Sequence, residues 1–164
     1  QSAFLYHQTP FLKESLGLLG AAQVVSITTL AGIAGRVVFL AIGDRFSARR
    51  WTTLVYAAQA LAFAILALAD GATGLTAGSA LFGFTMGLVI TLQPLTVAFV
   101  FGRESFGRIY GAIYFAIRTG AAIGPLVVGG ILAAAGDYQT GWLVVGASLG
   151  VAILILPLAL RPMN

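Results

Sequence analysis

Five stretches of this chain, roughly 15–42, 51–69, 73–101, 108–136 and 142–160, run for about 20 residues or more with almost no charge. A helix rises about 1.5 Å per residue, so each stretch is long enough to cross the ~30 Å hydrocarbon core of a bilayer. In lipid every backbone polar group must find its partner within the protein, and an apolar segment of this length does so as a helix. The composition agrees: 59% of residues are hydrophobic and 9% charged, with a mean hydropathy of +0.98. The expected fold class is therefore all-α, a polytopic membrane protein with the lipid bilayer as its solvent.

A sixth helix is expected only in part, over about 1–9, because "QSAFLYHQ" is apolar but short and "TPFLKES" then turns the chain. With neither an initiator Met nor a basic signal region at its start, the chain is expected to be a piece of a longer polypeptide. No cysteine and a single histidine exclude disulfides and the usual Cys or His metal sites, and no cofactor is implied. The connections "TPFLKES", "GDRFSARR", "DGAT", "GRESFG" and "GDYQTG" are short and polar, the spacing of an up-and-down bundle. Arg45, Arg49, Arg50, Arg103, Arg108 and Arg161 gather on one side, whereas Lys13, Glu14, Asp70 and Asp137 fall on the other. The positive-inside rule makes the arginine side cytoplasmic, places the C-terminus there and puts Trp51 and Trp142 at opposite interfaces as aromatic anchors. The net charge of +4 arises from these loops, which lack the interleaved aromatics of a nucleic-acid surface.

The stretches differ in character. Those at 51–69 and 142–160 are almost purely aliphatic and suit outer, lipid-facing helices, while 15–42, 73–101 and 108–136 hold most of the glycines, polar residues and prolines and suit inner ones. With the partial first helix the order is inner, inner, outer, twice over, as in two three-helix repeats of inverted topology. Gly83-x-x-x-Gly87 and Gly120-x-x-x-Gly124 mark close helix packing, the second leading into Pro125.

Arg36 and Arg118 are the informative residues, because a charge at membrane depth is costly and marks function. Arg36 stands eight residues before Asp44 and Arg118 ten after Arg108, about 12–15 Å from the cytoplasmic edge and so near the midplane. No acid of this chain lies at that depth. The partner is therefore an acid elsewhere in the protein or an anion from solution, which a guanidinium fork can bind and release. Tyr114, Arg118 and Pro125 share one helix face with Tyr110 a turn away; Ser26, Thr29, Ile33 and Arg36 form a second stripe, whose hydroxyls can also bond the preceding turn. Gln93 beside Pro94 joins a polar side chain to a freed backbone carbonyl, and His7 precedes Pro10 in the partial first helix.

"GDRFSARR" resembles the Asp-Arg loop signature of the major facilitator superfamily. "YHQTPFLKESLG", "GIAGRVVFLAIGDR" and "GAIYFAIRTGAAIGPLVVGG" resemble the C-terminal half of its monocarboxylate-transporter and oxalate/formate-antiporter branch. The resemblance covers nearly the whole chain and implies helices seven to twelve of that twelve-helix fold, the seventh truncated. It further implies that Arg36 binds a substrate carboxylate, that Arg118 is the antiporter's second basic residue, and that His7 faces the site. Gly32 and Ile33 stand where animal monocarboxylate transporters carry an aspartate tied to proton coupling, which separates this chain from proton symport of that kind. "GAAIGPLVVGG" also resembles the fifth helix of drug/proton antiporters, a second reading that would make this the N-terminal half.

The expected function is secondary active or facilitated transport of a small organic carboxylate, a monocarboxylate or short dicarboxylate, by alternating access. The N-terminal half of the same transporter would be the partner, and protons a coupling ion only through His7 or that half. Arg36, Arg118, Tyr114, His7, Gln93 and Thr29 are the candidate substrate-binding residues. Asp44, Arg45, Arg49 and Arg50 are the candidate cytoplasmic latch, and Gly120, Gly124 and Pro125 serve helix packing. The location is a cell membrane, plasma or inner. A non-transporting scaffold or receptor whose arginines pair with a partner's acids is the alternative from another class. An enzyme is not expected, since no carboxylate pair, nucleophile with base, or metal cluster lies at membrane depth.

Overall fold

The structure, a computed structural model, describes residues 1–45, 47–102 and 104–159, apart from the side chains of Asp44, Ala48 and 156–159. Among the described residues five helices follow one another: α1 (Ser2–Ile42), α2 (Ala48–Leu68), α3 (Ala72–Phe101), α4 (Phe106–Ala135) and α5 (Tyr138–Ala159), with a 3-10 turn at Gly43–Arg45. Each is long and apolar enough to cross a membrane, and no strand occurs among the described residues. The all-α, multi-pass expectation holds, and α2 to α5 fall close to the expected windows. Arg103 and Arg161, assigned to the cytoplasmic side, lie outside the described residues.

With 41 residues, α1 would be about 60 Å long if straight, twice the hydrocarbon core. It folds back on itself at Gly17, whose φ of 68° and ψ of −179° suit a residue without Cβ. The side chains of Gln8 and Thr28 meet across this reversal, the buried Gln8 Nε2 donating to Thr28 Oγ1 at 2.8 Å. Two antiparallel arms result, 2–16 and 18–42. The turn therefore lies beyond "TPFLKES", and the first helix outruns the expected 1–9. Pro10 stays inside it, because a proline removes only one helical hydrogen bond, whereas reversal needs the positive φ that Gly17 supplies.

The second arm lies backbone to backbone against α3. A Cβ added at Gly83 would collide with the carbonyl oxygen of Thr28, one at Gly87 with that of Gly32, and one at Gly35 with that of Phe84. Without side chains between them the two helices reach the close approach that drives association in lipid. Around this seam, α2 packs between α3 and α5, and α4 leans on the first arm of α1 and on α5.

Aromatic rings fill the half of the core away from the arginine-bearing loops. The Phe4 ring centroid stands 4.4 Å from Phe82, 5.3 Å from Trp142 and 5.9 Å from Phe63, and Phe11 meets Tyr138 and Trp142 edge-on at 5.4 Å. At the arginine-bearing end Phe39, Trp51, Val55, Leu88, Val89 and Leu92 form a second cluster.

Two expectations change. Trp51 and Trp142 are buried core residues instead of interfacial anchors: Trp142 is enclosed by aromatic rings, and Trp51 Nε1 donates to the Gly43 carbonyl at 2.9 Å. α2, expected to face lipid on most sides, buries Val55, Gln59, Ala62, Phe63 and Leu66. α4, expected among the inner helices, has Val128 as its buried residue and lines the Arg118 groove with its exposed face. Hydropathy cannot show that α2 is enclosed, because lipid tails are as apolar as neighbouring helices.

At the start of α5, Asp137 Oδ1 accepts the Thr140 amide at 2.7 Å and Oδ2 accepts the Thr140 hydroxyl at 3.2 Å. These bonds, the amide first, hold the Asp137 carboxyl below its usual 3.8. A depressed folded-state pKa contributes stability that is present above the unfolded value and lost as pH falls through the folded one. Asp137→Asn should therefore flatten the loss of thermal stability below about pH 4 in acid titrations of the melting temperature. Gly83→Val should force α1 and α3 apart at a cost of about 3 kcal/mol, whereas Gly107→Ala, whose Cβ meets open space, should shift stability by less than about 0.5 kcal/mol. Thermal melts in detergent compare the two.

Candidate functional site

Two of the helix prolines, Pro94 and Pro125, leave backbone carbonyls without a helical donor near the candidate residues. Pro125 has no N–H for the carbonyl of Ala121, and the Ser2 hydroxyl donates to that oxygen instead, at 2.8 Å. One turn along, His7 Nε2 lies 3.0 Å from the Pro125 carbonyl oxygen. A carbonyl only accepts, so Nε2 carries the proton. These two bonds tie the first arm to α4, and Gly124 belongs to the same contact, since its Cβ position lies 3.2 Å from Ser2 Oγ. Pro94 likewise leaves the Ile90 carbonyl unserved from within α3.

Arg36 lines a groove of about 450 Å³ with Leu5, Gln8, Thr29, Met86 and Ile90 among its walls. Arg118 lines a second groove, of about 650 Å³, with Gln1, Ser2, Gln93, Tyr110 and Tyr114. Leu5, Met86 and Ile90 belong to both, so the two guanidiniums occupy adjoining compartments on either side of one apolar ridge. None of the lining residues of either groove is an Asp or Glu. Both arginines are exposed on the open side of the chain.

The structure places each expected residue. Tyr114 meets Arg118 twice: its hydroxyl accepts from Arg118 Nη2, and Cζ of Arg118 stands 4.5 Å from its ring centroid. Phe106, Tyr110 and Tyr114 continue as a ladder along α4, with ring centroids 5.2 and 5.9 Å apart. Thr29 lines the Arg36 groove, but its hydroxyl donates to the Val25 carbonyl at 3.0 Å, and Ser26 bonds Ala22 in the same way. Gln93 lines the Arg118 groove together with Tyr56. His7 is directed at the α4 backbone and at Tyr138, 5.8 Å between ring centroids.

Gly120 lines the Arg118 groove and would meet nothing within 4 Å if it bore a Cβ. At the basic end Arg45, Arg49 and Arg50 are exposed, and Ser47 caps α2 by accepting the Arg50 amide at 3.4 Å; the Asp44 side chain lies outside the described residues. Ser2, Leu5, Tyr56 and Met86 are groove residues that the sequence did not single out. Only Ser2 carried a readable sign, a hydroxyl at the start of an apolar helical segment.

Comparison with known proteins matches residues 2–163 to the Major Facilitator Superfamily. The chain belongs to that superfamily, which accords with the fold class and with the expectation of no enzyme. It is 26% identical over 144 residues to the riboflavin transporter MCH5 of Saccharomyces cerevisiae, covering 84% of this chain and 27% of that protein. It is 24% identical over 143 residues to monocarboxylate transporter 12 of Rattus norvegicus, covering 85% and 29%. With the uncharacterized MFS-type transporter YhjX of Escherichia coli it shares 28% over 107 residues, covering 65% and 27%. The chain thus spans somewhat more than a quarter of the length of these relatives. No solved structure matches it.

The proline contact makes a prediction that separates cause from coincidence. Ser2→Ala should cost about 1 kcal/mol or more while Pro125 is present, because it strands the Ala121 carbonyl. In a Pro125→Ala background the restored amide serves that carbonyl, and Ser2→Ala should become nearly neutral. A double-mutant cycle on thermal stability measures the difference.

Proposed function

We propose that this chain forms the C-terminal six-helix half of a twelve-helix transporter that carries a small organic carboxylate by alternating access. The observation that carries the reading is the pair of arginines in adjoining grooves whose walls contain no carboxylate. A guanidinium at membrane depth needs an anion, and one arriving from solution supplies it in a form that can leave. The name of the relative monocarboxylate transporter 12 supports this substrate class. That of the riboflavin transporter shows that relatives at this distance differ in what they carry.

In this reading Arg36 and Arg118 hold the carboxylate, Tyr114 orients the Arg118 fork, and Gln93 and Thr29 border the site. His7 acts on the site through α4, whose backbone it bonds. The open faces of α4 and of the second arm, Gly120 included, receive the N-terminal half. The Asp44, Arg45, Arg49 and Arg50 loop lies in the cytoplasm with the C-terminus and latches the outward-open state of a plasma- or inner-membrane protein. With no acid beside the arginines, exchange or facilitated transport fits this half better than proton symport.

Removing one partner of a buried charged pair costs about 2–5 kcal/mol, some thirty-fold to several-thousand-fold in affinity. Arg36→Gln and Arg118→Gln in the full-length protein should nearly abolish carboxylate binding, and Arg→Lys, which keeps charge but loses the fork, should weaken it. Thermal stabilisation by monocarboxylates, dicarboxylates and neutral analogues reads this out. If no carboxylate stabilises the wild type, the reading fails, and loss of stability in the variants without any ligand response would favour a scaffold.

A further inference from the structure

A chamber of about 310 Å³ lies between α2, α3 and α4, at the low end of the range of small-molecule sites, about 300–1,000 Å³. It is half open, and its walls are mainly apolar: Val55, Val89, Leu92 and Val97 are buried, and Ile113, Ile117 and the polar Thr52 and Thr96 complete the lining with Tyr56 and Gln93. Small-molecule sites are concave and mostly apolar with a few polar groups. An apolar recess of this size is matched by an apolar occupant, whose atoms supply the dispersion contacts its lining otherwise lacks.

The position of the chamber says which one. Tyr56, Gln93 and Ile117 line both this chamber and the groove that holds Arg118. The hydroxyl of Tyr56 and the amide of Gln93 make a polar rim at the junction. On one side stands a guanidinium with its tyrosine; on the other, a mostly apolar pocket. Together they form a site with one charged and one apolar end, the pattern of an amphipathic acid.

We infer that the chamber is a tail subsite: it takes the hydrocarbon end of a carboxylate whose charged end sits in the Arg118 groove. It thereby favours acids with an aliphatic or aromatic tail over the shortest ones. The inference rests on the carboxylate reading above. Val89 and Ile113, on opposite walls, set how long a tail fits, and the Tyr56–Gln93 pair marks where polar ligand atoms give way to apolar ones.

Affinities of propanoate, butanoate and hexanoate for the purified full-length protein test this. Each buried methylene is worth about fourfold, so hexanoate should bind roughly sixty-fold tighter than propanoate. Ile113→Trp fills the chamber from its half-buried α4 wall, and Val89→Leu fills it more gently from α3. Both should shrink that gain severalfold or more while propanoate binds as in the wild type, which also reports that the variants are folded. The inference is overturned if hexanoate binds the wild type no tighter than propanoate, or if the gain survives in both variants; the chamber then serves a lipid chain or nothing. Failure of every acid to bind overturns the carboxylate reading itself, a result distinct from binding without tail dependence.

Discussion

The backbone contact between the second arm of α1 and α3 governs the rest of the structure. Gly32, Gly35, Gly83 and Gly87 let the two helices touch main chain to main chain, and in lipid, where apolar burial gives helices no advantage, such contact is a principal source of cohesion. The same seam sets the site. Gly83 and Gly87 are wall residues of the Arg36 groove, as are Met86 and Ile90 beside them. A wider seam would move Arg36 away from the ridge it shares with the Arg118 compartment.

Proline chemistry supplies the second constraint. Bilayer interiors contain no water to rescue a carbonyl that a proline has deprived of its donor. At Ala121 the answer is the hydroxyl of Ser2, more than a hundred residues away in the chain. His7 adds a bond to the Pro125 carbonyl itself. The first arm is thus held to α4 by polar atoms at its edge and to the core by the rings of Phe4 and Phe11.

Much of this was legible in the sequence because membrane helices are written in length and apolarity. The bounds of α2 to α5, the glycine seam at Gly83 and Gly87, and the side-chain contact of Tyr114 with Arg118 at i, i+4 all follow from local spacing. What escaped the sequence depends on distant partners. The turn was expected within "TPFLKES", which holds the local breaker Pro10, but the chain reverses at Gly17, where a positive φ is tolerated. Trp142 stood at the end of an apolar window and looked interfacial, yet Phe4, Phe11 and Phe63 enclose it. Ser26 and Thr29 sat in a polar stripe with Arg36, and their hydroxyls turned out to serve their own helix. Periodicity identifies a face; it does not say what the face meets.

The manner in which α4 is held has a consequence for divergence. The first arm grips α4 through carbonyl oxygens, at Ala121 and Pro125, and a carbonyl is present whatever residue carries it. The side chains of α4 are mostly exposed, with Val128 the buried one. Substitutions along α4 therefore leave its attachment to the first arm largely intact, while they rewrite the lining of the Arg118 groove. The helix that contributes most to that groove is also the one whose side chains the rest of this chain constrains least, so its chemistry can drift at little cost to folding.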